Sequence, residues 1–304
     1  MAAPVCLVTI LYNSGDGLPG FLACLQAQAL TDWRMIVIDN ASPDGSLAIV
    51  SALADPRITV IRNSANLGFA KAANQGLRAA AAAGEFAVLF NNDTWFAPDF
   101  LHRLVEARAR LSADVIAPRV MDMDRPEVSW YAGGHLEDGW VFRNIHDEYR
   151  EEDGDEPRKV GFASGCCLGL TPAVLARVGY FDESFFVYWE DVDFCMRLTA
   201  AGVPIYYLPE PMLRHQGAVA TGGVSSPAHD RLYYRSYMQL LRKHFGLGRA
   251  ARVMLRLTAK EVGQPNRDAR HIRSIATSMA WGLAAPLIRA ALAADQVAYG
   301  GSAR

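Results

Sequence analysis

The first hundred residues alternate between short, uninterrupted apolar runs and longer stretches with helical character. Uninterrupted apolar runs are typical of strands buried on both faces, and intervening helices are typical of a parallel sheet covered on both sides. The sequence therefore predicts an α/β fold whose ligand binds beyond the carboxyl ends of the strands. We predict strands at 5–12, 35–40, 58–63 and 86–93, and helices at 18–30, 46–53, 69–84 (with Gly84 as C-cap) and after Pro98.

Polar side chains stand at the end of each predicted strand. These ends carry Tyr12-Asn13, Asp39-Asn40, residues 63–66 and Asn91-Asn92-Asp93. Because the carboxyl ends of parallel strands meet at one edge of a sheet, we expect them to line one nucleotide-sized site. An aspartate there can hold Mg²⁺ or Mn²⁺ together with substrate phosphates. The alternative is an aspartate that caps the following turn.

A second group of candidate functional residues lies at 190–193, directly after the aromatic run FFVYW. A carboxylate beside apolar surface has a raised pKa, which suits a general base. The apolar spacing that follows predicts a helix with Asp191 in its first turn, so acidic helix capping is the alternative. Further along, His215 is either a metal ligand or a structural histidine.

Charge and cysteine content narrow the class of protein. The 304 residues carry a formal net charge of -2. Residues 1–230 have 17 Lys and Arg against 29 Asp and Glu, whereas residues 231–304 have 13 against 3. The basic C-terminal part indicates an anionic partner, either a membrane or a nucleic acid. The acidic run at 146–156 is typical of a solvated loop.

The remaining compositional signals favour a cytoplasmic protein. The five cysteines form neither a CxxC pair nor a zinc-binding spacing, so we expect buried thiols in a reducing compartment. The N-terminus lacks the basic start of a signal peptide. The uncharged stretch at 274–288 is shorter than the roughly 20 residues that a membrane span needs, and it contains Pro286.

Six stretches together resemble the family 2 glycosyltransferases with a GT-A fold, and above all the bacterial rhamnosyltransferase-like branch. The resemblance implies an α/β GT-A (Rossmann-like) nucleotide-sugar-binding domain with a mixed central sheet at 1–230, followed by a basic helical region at 231–304. The stretches lie within residues 8–223 and are TILYNSGDGLPGFLACL, IVIDNASPDGS, NLGFAKAANQGL, LFNNDT, ASGCCLGLTPAVLARVGYFDESFFVYWEDVDFCMRLTAAG and RHQGAVATGG.

The resemblance also implies roles for individual residues. Asp191 matches the catalytic base, and Glu190 matches its neighbour facing the acceptor or donor sugar. Asp93 is the expected metal carboxylate for Mg²⁺ or Mn²⁺, and His215 completes the metal shell. Asn91 stands where a DxD motif would carry Asp, so Asp93 is left as the strong anionic ligand of that motif. The positions implied to bind the nucleotide-sugar are Tyr12, Asn13, Asp39, Asn40, Asn66, Gly68, Lys71, Asn74, Asn92 and Asp93.

The implied activity is an inverting sugar transfer. The donor is dTDP-rhamnose or a UDP-hexose, and the acceptor is a glycan or a lipid-linked glycan. A carboxylate removes the proton of the acceptor hydroxyl, and a divalent metal neutralises the charge that develops on the diphosphate.

Two other functions stay open. One is a sugar nucleotidyltransferase, although TILYNSGDG lacks the basic residue expected in the loop of such an enzyme. The other is a non-catalytic protein that binds carbohydrate or nucleic acid. The acidic N-terminal part disfavours extensive contact with a phosphate backbone, so we expect no nucleic-acid partner. A dehydrogenase and a serine hydrolase are disfavoured, because no GxGxxG follows the first strand and GFASG misses the GxSxG spacing.

The C-terminal region predicts a further helix at 271–293 with an apolar face. One interpretation places this face on an anionic membrane, so that the protein is peripheral on the cytoplasmic face of the inner membrane through residues 231–293. The other packs it on the catalytic domain or at the interface of a homodimer. The face consists of Ile272, Ile275, Met279, Leu283 and Leu287, flanked by Arg270, Arg273 and Arg289.

Overall fold

A computed structural model describes residues 5–137, 141–144, 156–217, 226–262 and 269–284. Within these residues, one large mixed sheet forms the centre of the molecule, in the order β10-β12-β6-β11-β4-β1-β2-β3, with β5 beside β12 and β7 beside β6. The strands are β1 Val5–Leu11, β2 Trp33–Asp39, β3 Ile58–Arg62, β4 Phe86–Phe90, β5 Thr94–Phe96, β6 Val115–Asp122, β7 Ser129–Tyr131, β8 Gly134–Glu137, β9 Val141–Asn144, β10 Arg158–Val160, β11 Cys167–Leu170 and β12 Ile205–His215. The helices are α1 Leu18–Gln26, α2 Ser46–Ala52, α3 Phe69–Ala82, α4 Phe100–Leu111, α5 Pro172–Val178, α6 Glu190–Ala200, α7 Pro227–Phe245, α8 Leu247–Val262 and α9 Ala269–Ala284.

The N-terminal half contains the parallel sheet that the apolar runs predict. β1 pairs in parallel with β2 and β4, and β2 pairs in parallel with β3. The register sets Leu11 beside Asp39 and Asp39 beside Arg62, so these strands end at one common edge. The polar side chains that follow the strands therefore surround one cleft.

The later part of the chain adds antiparallel strands, namely β5, β7, β10 and β11, and these make the sheet mixed. β11 runs antiparallel to both of its neighbours, β4 and β6. This direction sets Cys167 opposite Phe90. The segment before β11 therefore lies at the carboxyl end of β4, beside Asn91, and contributes to the same cleft.

Several element boundaries differ from the predicted ones, most of them by one or two residues. The strand predicted at 86–93 ends at Phe90, and the chain turns with Thr94 Oγ1 donating to the carbonyl of Asn91 before β5 begins. The helix predicted to reach residue 30 ends at Gln26. The side-chain amide of Gln28 donates 3.0 Å to the carbonyl of Cys24, in the last turn of that helix. The third helix has Ala83 as its C-cap, and Gly84 follows with φ +73°.

The C-terminal helices α7, α8 and α9 pack on one another around a small apolar cluster. Met238, Leu241, Ala250, Ile275 and Met279 are buried in it. Of the two interpretations of the α9 face, the structure therefore gives packing on neighbouring helices for Ile275 and Met279. The side chain of Arg270, and residues 285–304 with Leu287 and Arg289, lie outside the described part.

Two further sequence features can be located only in part. The acidic run at 146–156 lies outside the described residues except for Glu156. Residue 230 lies within α7, and the division of the chain at 230/231 stays a prediction. Among the described helices, none combines the length and the hydropathy that crossing a bilayer requires.

Candidate active site

A hydrogen-bond network around Asp44 joins the loops that follow β1 and β2. Asp44 Oδ2 accepts 2.7 Å from the amide of Gly15, and Oδ1 accepts 2.6 Å from the hydroxyl of Ser42 and also from Ser46. Burial works against the charged carboxylate, but these hydrogen bonds outweigh it and lower the pKa of Asp44 to about 2. The network fixes the loop that carries the half-buried Tyr12 and the exposed Asn13, which has φ +52°.

Asn40 holds the loop between β3 and α3 in place. It is 2% exposed. Its amide donates 2.8 Å to Oδ1 of Asn66, and its Oδ1 accepts from the amide of Leu67 and the side chain of Asn63. Asn40 therefore acts on this loop through hydrogen bonds within the protein, while a direct contact with nucleotide stays a prediction. Its neighbour Asp39 is also buried.

The segment 181–189, which we call the acceptor loop, lies directly on the turn before α3. The amide of Phe69 donates 2.6 Å to the carbonyl of Phe186. Gly68 has φ +83°, and a Cβ at that position would lie 2.4 Å from the Phe186 carbonyl oxygen. Only glycine fits both the backbone conformation and the space there.

Asn74, a predicted nucleotide-sugar contact, is fully buried beneath this loop. Its amide donates to the carbonyl of Phe181 and to Glu183 Oε1, and its Oδ1 accepts from the amide of Phe181. Both amide hydrogens are thus used within the protein. Asn74 therefore holds the acceptor loop in place. Lys71, one turn earlier on α3, is exposed to solvent.

Asp93 and His215 form a close pair at the edge of the cleft. Asp93 Oδ1 lies 3.1 Å from His215 Nε2, and the side-chain nitrogen Nδ2 of Asn91 lies 3.3 Å from the same ring nitrogen. Burial disfavours the imidazolium, but the adjoining Cys166 thiol and Asp93 carboxylate outweigh it and raise the pKa of His215 well above its ordinary value. Trp130 packs edge-on against the ring, with centroids 4.7 Å apart.

Asn92, unlike Asp93, uses its side chain for hydrogen bonds to β1. It is buried, and its amide donates 2.7 Å to the carbonyl of Ile10 and 3.3 Å to Thr9 Oγ1. These bonds tie the end of β4 to β1 and so orient the adjacent Asp93. Gly17 gives this turn its room, because a Cβ there would lie 2.9 Å from the Cα of Asp93.

Asp191 lies in the first turn of α6, as predicted. Its Oδ2 accepts 3.1 Å from the amide of Gly165, and its Oδ1 accepts 2.8 Å from the amide of Val192. Burial raises the pKa of the Asp191 carboxyl, and these backbone amides offset part of the rise. The side chain is therefore aimed by backbone groups and is more basic than an ordinary aspartate.

Glu190 is buried beside it, and its Oε2 has no hydrogen-bond partner among the described residues. Burial and the neighbouring Asp191 raise the pKa of Glu190 well above its ordinary value. A buried carboxyl oxygen without a protein partner is a favourable hydrogen-bonding group for a sugar hydroxyl.

One backbone hydrogen bond links the segment of Asp93 to the segment that holds Asp191. The amide of Asn91 donates 2.8 Å to the carbonyl of Cys166, which follows Gly165. The Asp93–His215 pair and Asp191 therefore flank adjoining backbone segments. This juxtaposition places a candidate metal pair and a candidate general base in one cleft.

The Asp93–His215 pair fits a divalent metal that binds with substrate. The Asp93 carboxylate oxygen and the His215 imidazole nitrogen lie 3.1 Å apart, and both are atom types that ligate divalent ions. In the described part of the chain, no three His, Cys, Asp or Glu side chains group as a metal site. A two-residue set suits Mg²⁺ or Mn²⁺, which take further ligands from substrate phosphates and water.

Several residues of the site escaped the sequence analysis. Asp44 and Gly165 act through loop hydrogen bonds that form only in the fold, although the SPDGS segment is a turn signal. Lys243 and His244 contact the helix of Asp191 from about fifty positions away. Of the five cysteines, all are free and four are buried, as expected for structural thiols.

Known proteins are similar to this chain over much of its length. Residues 6–179 match the family described as glycosyl transferase family 2. An N-acetylglucosaminyl-diphospho-decaprenol L-rhamnosyltransferase of Mycobacterium tuberculosis is 31% identical over 268 residues, which are 80% of this chain and 86% of that protein. The dTDP-rhamnosyl transferase RfbF of Shigella flexneri is 26% identical over 235 residues, covering 75% of each chain.

A solved structure confirms the fold. GalNAc-T7 with UDP, GalNAc and Mn²⁺ superposes with a TM-score of 0.61 at 14% identity, over 93% of this chain and 56% of that chain. At this identity the similarity concerns the fold alone. It confirms the expected class, an α/β GT-A domain with a mixed central sheet and C-terminal helices.

Proposed function

The chain belongs to glycosyl transferase family 2, and from that premise we propose that it transfers L-rhamnose from dTDP-rhamnose to a lipid-linked glycan. Its relatives in Mycobacterium tuberculosis and Shigella flexneri are both named for rhamnosyl transfer, and one name specifies an N-acetylglucosaminyl-diphospho-decaprenol acceptor. This assignment favours dTDP-rhamnose over a UDP-hexose. Membership of a transferase family also removes the nucleotidyltransferase and the non-catalytic alternatives.

The observation that carries the proposal is the position of Asp191 beside the Asp93–His215 pair, across the contact between Asn91 and Cys166. The Asp191 carboxylate accepts the proton of an acceptor hydroxyl, whose oxygen forms a bond to the anomeric carbon of the donor. The bond from that carbon to the diphosphate oxygen breaks, and the nucleoside diphosphate leaves with the electron pair. A single displacement of this kind inverts the anomeric configuration.

The other residues of the cleft bind and orient. Tyr12, Asn13 and Asp39 lie where a base and ribose would enter, beyond the ends of β1 and β2. Glu190 offers its unpartnered oxygen to a sugar hydroxyl. Asp93 and His215 would hold a Mg²⁺ or Mn²⁺ ion, which when bound neutralises charge on the departing diphosphate. GalNAc-T7 was solved with Mn²⁺.

We also propose that the protein meets its acceptor at an anionic membrane surface, because a lipid-linked glycan keeps its lipid in the bilayer. The outward face of α8 carries Leu255, which is 65% exposed, between the exposed Arg252 and Arg256. Apolar and basic side chains on one helix face suit an anionic headgroup layer. A location on the cytoplasmic face of the inner membrane, and a homodimer, stay predictions.

The proposal is tested by offering the protein dTDP-L-rhamnose or UDP-glucose with a short-chain lipid diphosphate that carries N-acetylglucosamine, with Mn²⁺ or with a chelator. We expect metal-dependent dTDP release and an acceptor heavier by one rhamnose, with the anomeric configuration inverted in the product by NMR. Asp93→Asn should remove the metal dependence of dTDP binding, measured as the rise in melting temperature. An acceptor of unchanged mass with both donors would refute the proposed transfer.

A further inference from the structure

A buried ion-pair cluster joins the helix of Asp191 to the C-terminal helix α7. Asp193, on α6, is fully buried. Its Oδ1 lies 2.6 Å from Lys243 Nζ and 2.8 Å from His244 Nε2, both on α7. Its Oδ2 accepts 2.9 Å from Arg197 Nε, one turn along α6. We call these four residues the Asp193 cluster.

The Asp193 cluster holds α6 from the side opposite to the cleft. Residues two apart on an α-helix point about 200° apart around its axis. Asp191 accordingly bonds to Gly165, while Asp193 bonds to α7. A helix fixed at Asp193 cannot rotate about its axis without moving Asp191 away from Gly165.

The turn before α6 is strained, and contacts from α7 hold it in place. Tyr188 and Trp189 have φ values of +66° and +68°, which side-chain-bearing residues rarely adopt. Each costs about 1–3 kcal/mol and persists only where the surroundings enforce it. Here α7 supplies the enforcement, because Tyr237 stacks on Trp189 with ring centroids 4.4 Å apart, and Ser236 Oγ donates 2.8 Å to the Val187 carbonyl.

Lys243 extends the same support to the acceptor loop. Its ammonium lies 2.6 Å from Asp182 Oδ2 as well as from Asp193. Asp182 is the second residue of this loop, whose Phe186 carbonyl accepts from the amide of Phe69 at the start of α3. His244, in contrast, hydrogen-bonds to Asp193 and not to Asp182. His244 therefore separates an effect on α6 from an effect on the acceptor loop.

We infer that Lys243 and His244 are positioning residues for the transfer reaction, which act by holding Asp193 so that the Asp191 carboxylate meets the acceptor hydroxyl. The inference rests on the proposed role of Asp191 as the general base. A misplacement of about 1 Å can slow a positioned reaction by about 100-fold. The expected base and ribose contacts Tyr12, Asn13 and Asp39 hydrogen-bond to Ser14 and Ser42 and not to the Asp193 cluster, so nucleotide binding should be preserved.

The test compares His244→Ala, Lys243→Ala and Lys243→Arg with Asp191→Asn and with Lys159→Ala, a matched loss of an exposed lysine on the edge strand β10. Steady-state rates are measured with dTDP-L-rhamnose and the short-chain N-acetylglucosamine lipid diphosphate, and dTDP binding is measured by the rise in Tm with Mn²⁺. For His244→Ala and Lys243→Ala we expect kcat to fall about 10- to 100-fold, with the donor KM of His244→Ala within about twofold of wild type. Lys243→Arg should regain most of kcat, and Lys159→Ala should match wild type.

The outcomes separate the inference from the proposed function. If Asp191→Asn is inactive and His244→Ala turns over like Lys159→Ala, the positioning inference alone is wrong. It is equally wrong if His244→Ala raises the donor KM and leaves kcat unchanged. If Asp191→Asn is as fast as wild type, the role of Asp191 as general base and the positioning inference both fall, whereas the proposed rhamnosyl transfer is refuted only by an acceptor of unchanged mass. Should His244→Ala not fold, His244→Gln is measured instead: because it keeps a hydrogen-bond donor near Asp193 but not the imidazole, we expect a smaller fall in kcat at an unchanged donor KM, and a raised donor KM with unchanged kcat would contradict the inference.

Discussion

The backbone amide of Gly165 donates a 3.1 Å hydrogen bond to Oδ2 of Asp191. A Cβ on Gly165 would come within 3.7 Å of the Asp191 Cβ, which is ordinary van der Waals contact. The carboxylate is thus aimed by the main chain of the segment before β11, and by the Val192 amide, instead of by another side chain. An asparagine at this position keeps one of these two hydrogen bonds through its Oδ1 and loses the other, because its amide nitrogen cannot accept from a backbone N–H.

Asp191→Asn should abolish transfer while it leaves nucleotide binding nearly intact, because the amide keeps the shape of the side chain but cannot accept the acceptor proton. We expect kcat to fall by about 100-fold or more, the contribution typical of a general base. The melting temperature should still rise with dTDP and Mn²⁺. Asp124→Asn, at an exposed carboxylate in the turn after β6, serves as control. Turnover near the wild-type rate would exclude Asp191 as the base.

Gly68→Ala should lower both stability and donor binding. Its Cβ would meet the Phe186 carbonyl oxygen at 2.4 Å and break the hydrogen bond from Phe69 to that oxygen. Gly179 is a matched control. Its φ of +84° is close to the +83° of Gly68, so alanine suffers a similar backbone strain at both positions, but nothing lies within 4 Å of the Gly179 Cβ position. Urea unfolding should show Gly179→Ala destabilised by about 1–2 kcal/mol and Gly68→Ala by more. Equal losses in the two variants would show that the docked acceptor loop contributes nothing.

The N-terminal half of the fold could be predicted because local signals and tertiary structure agree there. Apolar runs such as 35–40 are strands in any packing that buries them on both faces. The mixed half could not be derived in this way, since the reversal of β11 depends on pairing with Phe90, about eighty residues away. The family resemblance, not periodicity, supplied the mixed sheet.

The candidate site divides similarly. The residues around Asp191, Asp93 and His215 left capping or structural roles open, and the family resemblance singled these three out. The sequence gives no sign that Asn74 and Asn40 tie loops together, because an amide that ties two loops looks the same in a sequence as an amide that binds a ligand. Asp193 was visible in the acidic segment, but its partners Lys243 and His244 belong to another helix.

Asp193→Asn should destabilise the protein in a pH-dependent manner. Burial opposes the Asp193 carboxylate, but His244, Lys243 and Arg197 outweigh it and lower its pKa to about 2. A pKa below the unfolded value of about 3.9 means that the ionised group stabilises the fold above pH 4 and loses this contribution as pH falls toward 2. We expect a loss of about 3 kcal/mol at pH 7, which narrows by about 1 kcal/mol at pH 3. Urea unfolding of both proteins from pH 7 to pH 3 measures the gap, and a gap independent of pH would contradict the ion-pair assignment.

Leu255→Glu should release the protein from anionic vesicles. The inward face of α8 packs on α7 and α9 through Ala250, whereas Leu255 is 65% exposed between Arg252 and Arg256. Burying a leucine in the headgroup boundary contributes about 1.5–3 kcal/mol, so its replacement by a charge should weaken binding at least about tenfold. Flotation with phosphatidylglycerol vesicles measures this, and neutral phosphatidylcholine vesicles should retain little protein, since the arginines add about 1 kcal/mol each only on anionic lipid. Met212→Glu, which charges an exposed apolar side chain on β12, should float like wild type. If wild type fails to float on anionic vesicles, or if both variants float equally well, the acceptor is not met through α8.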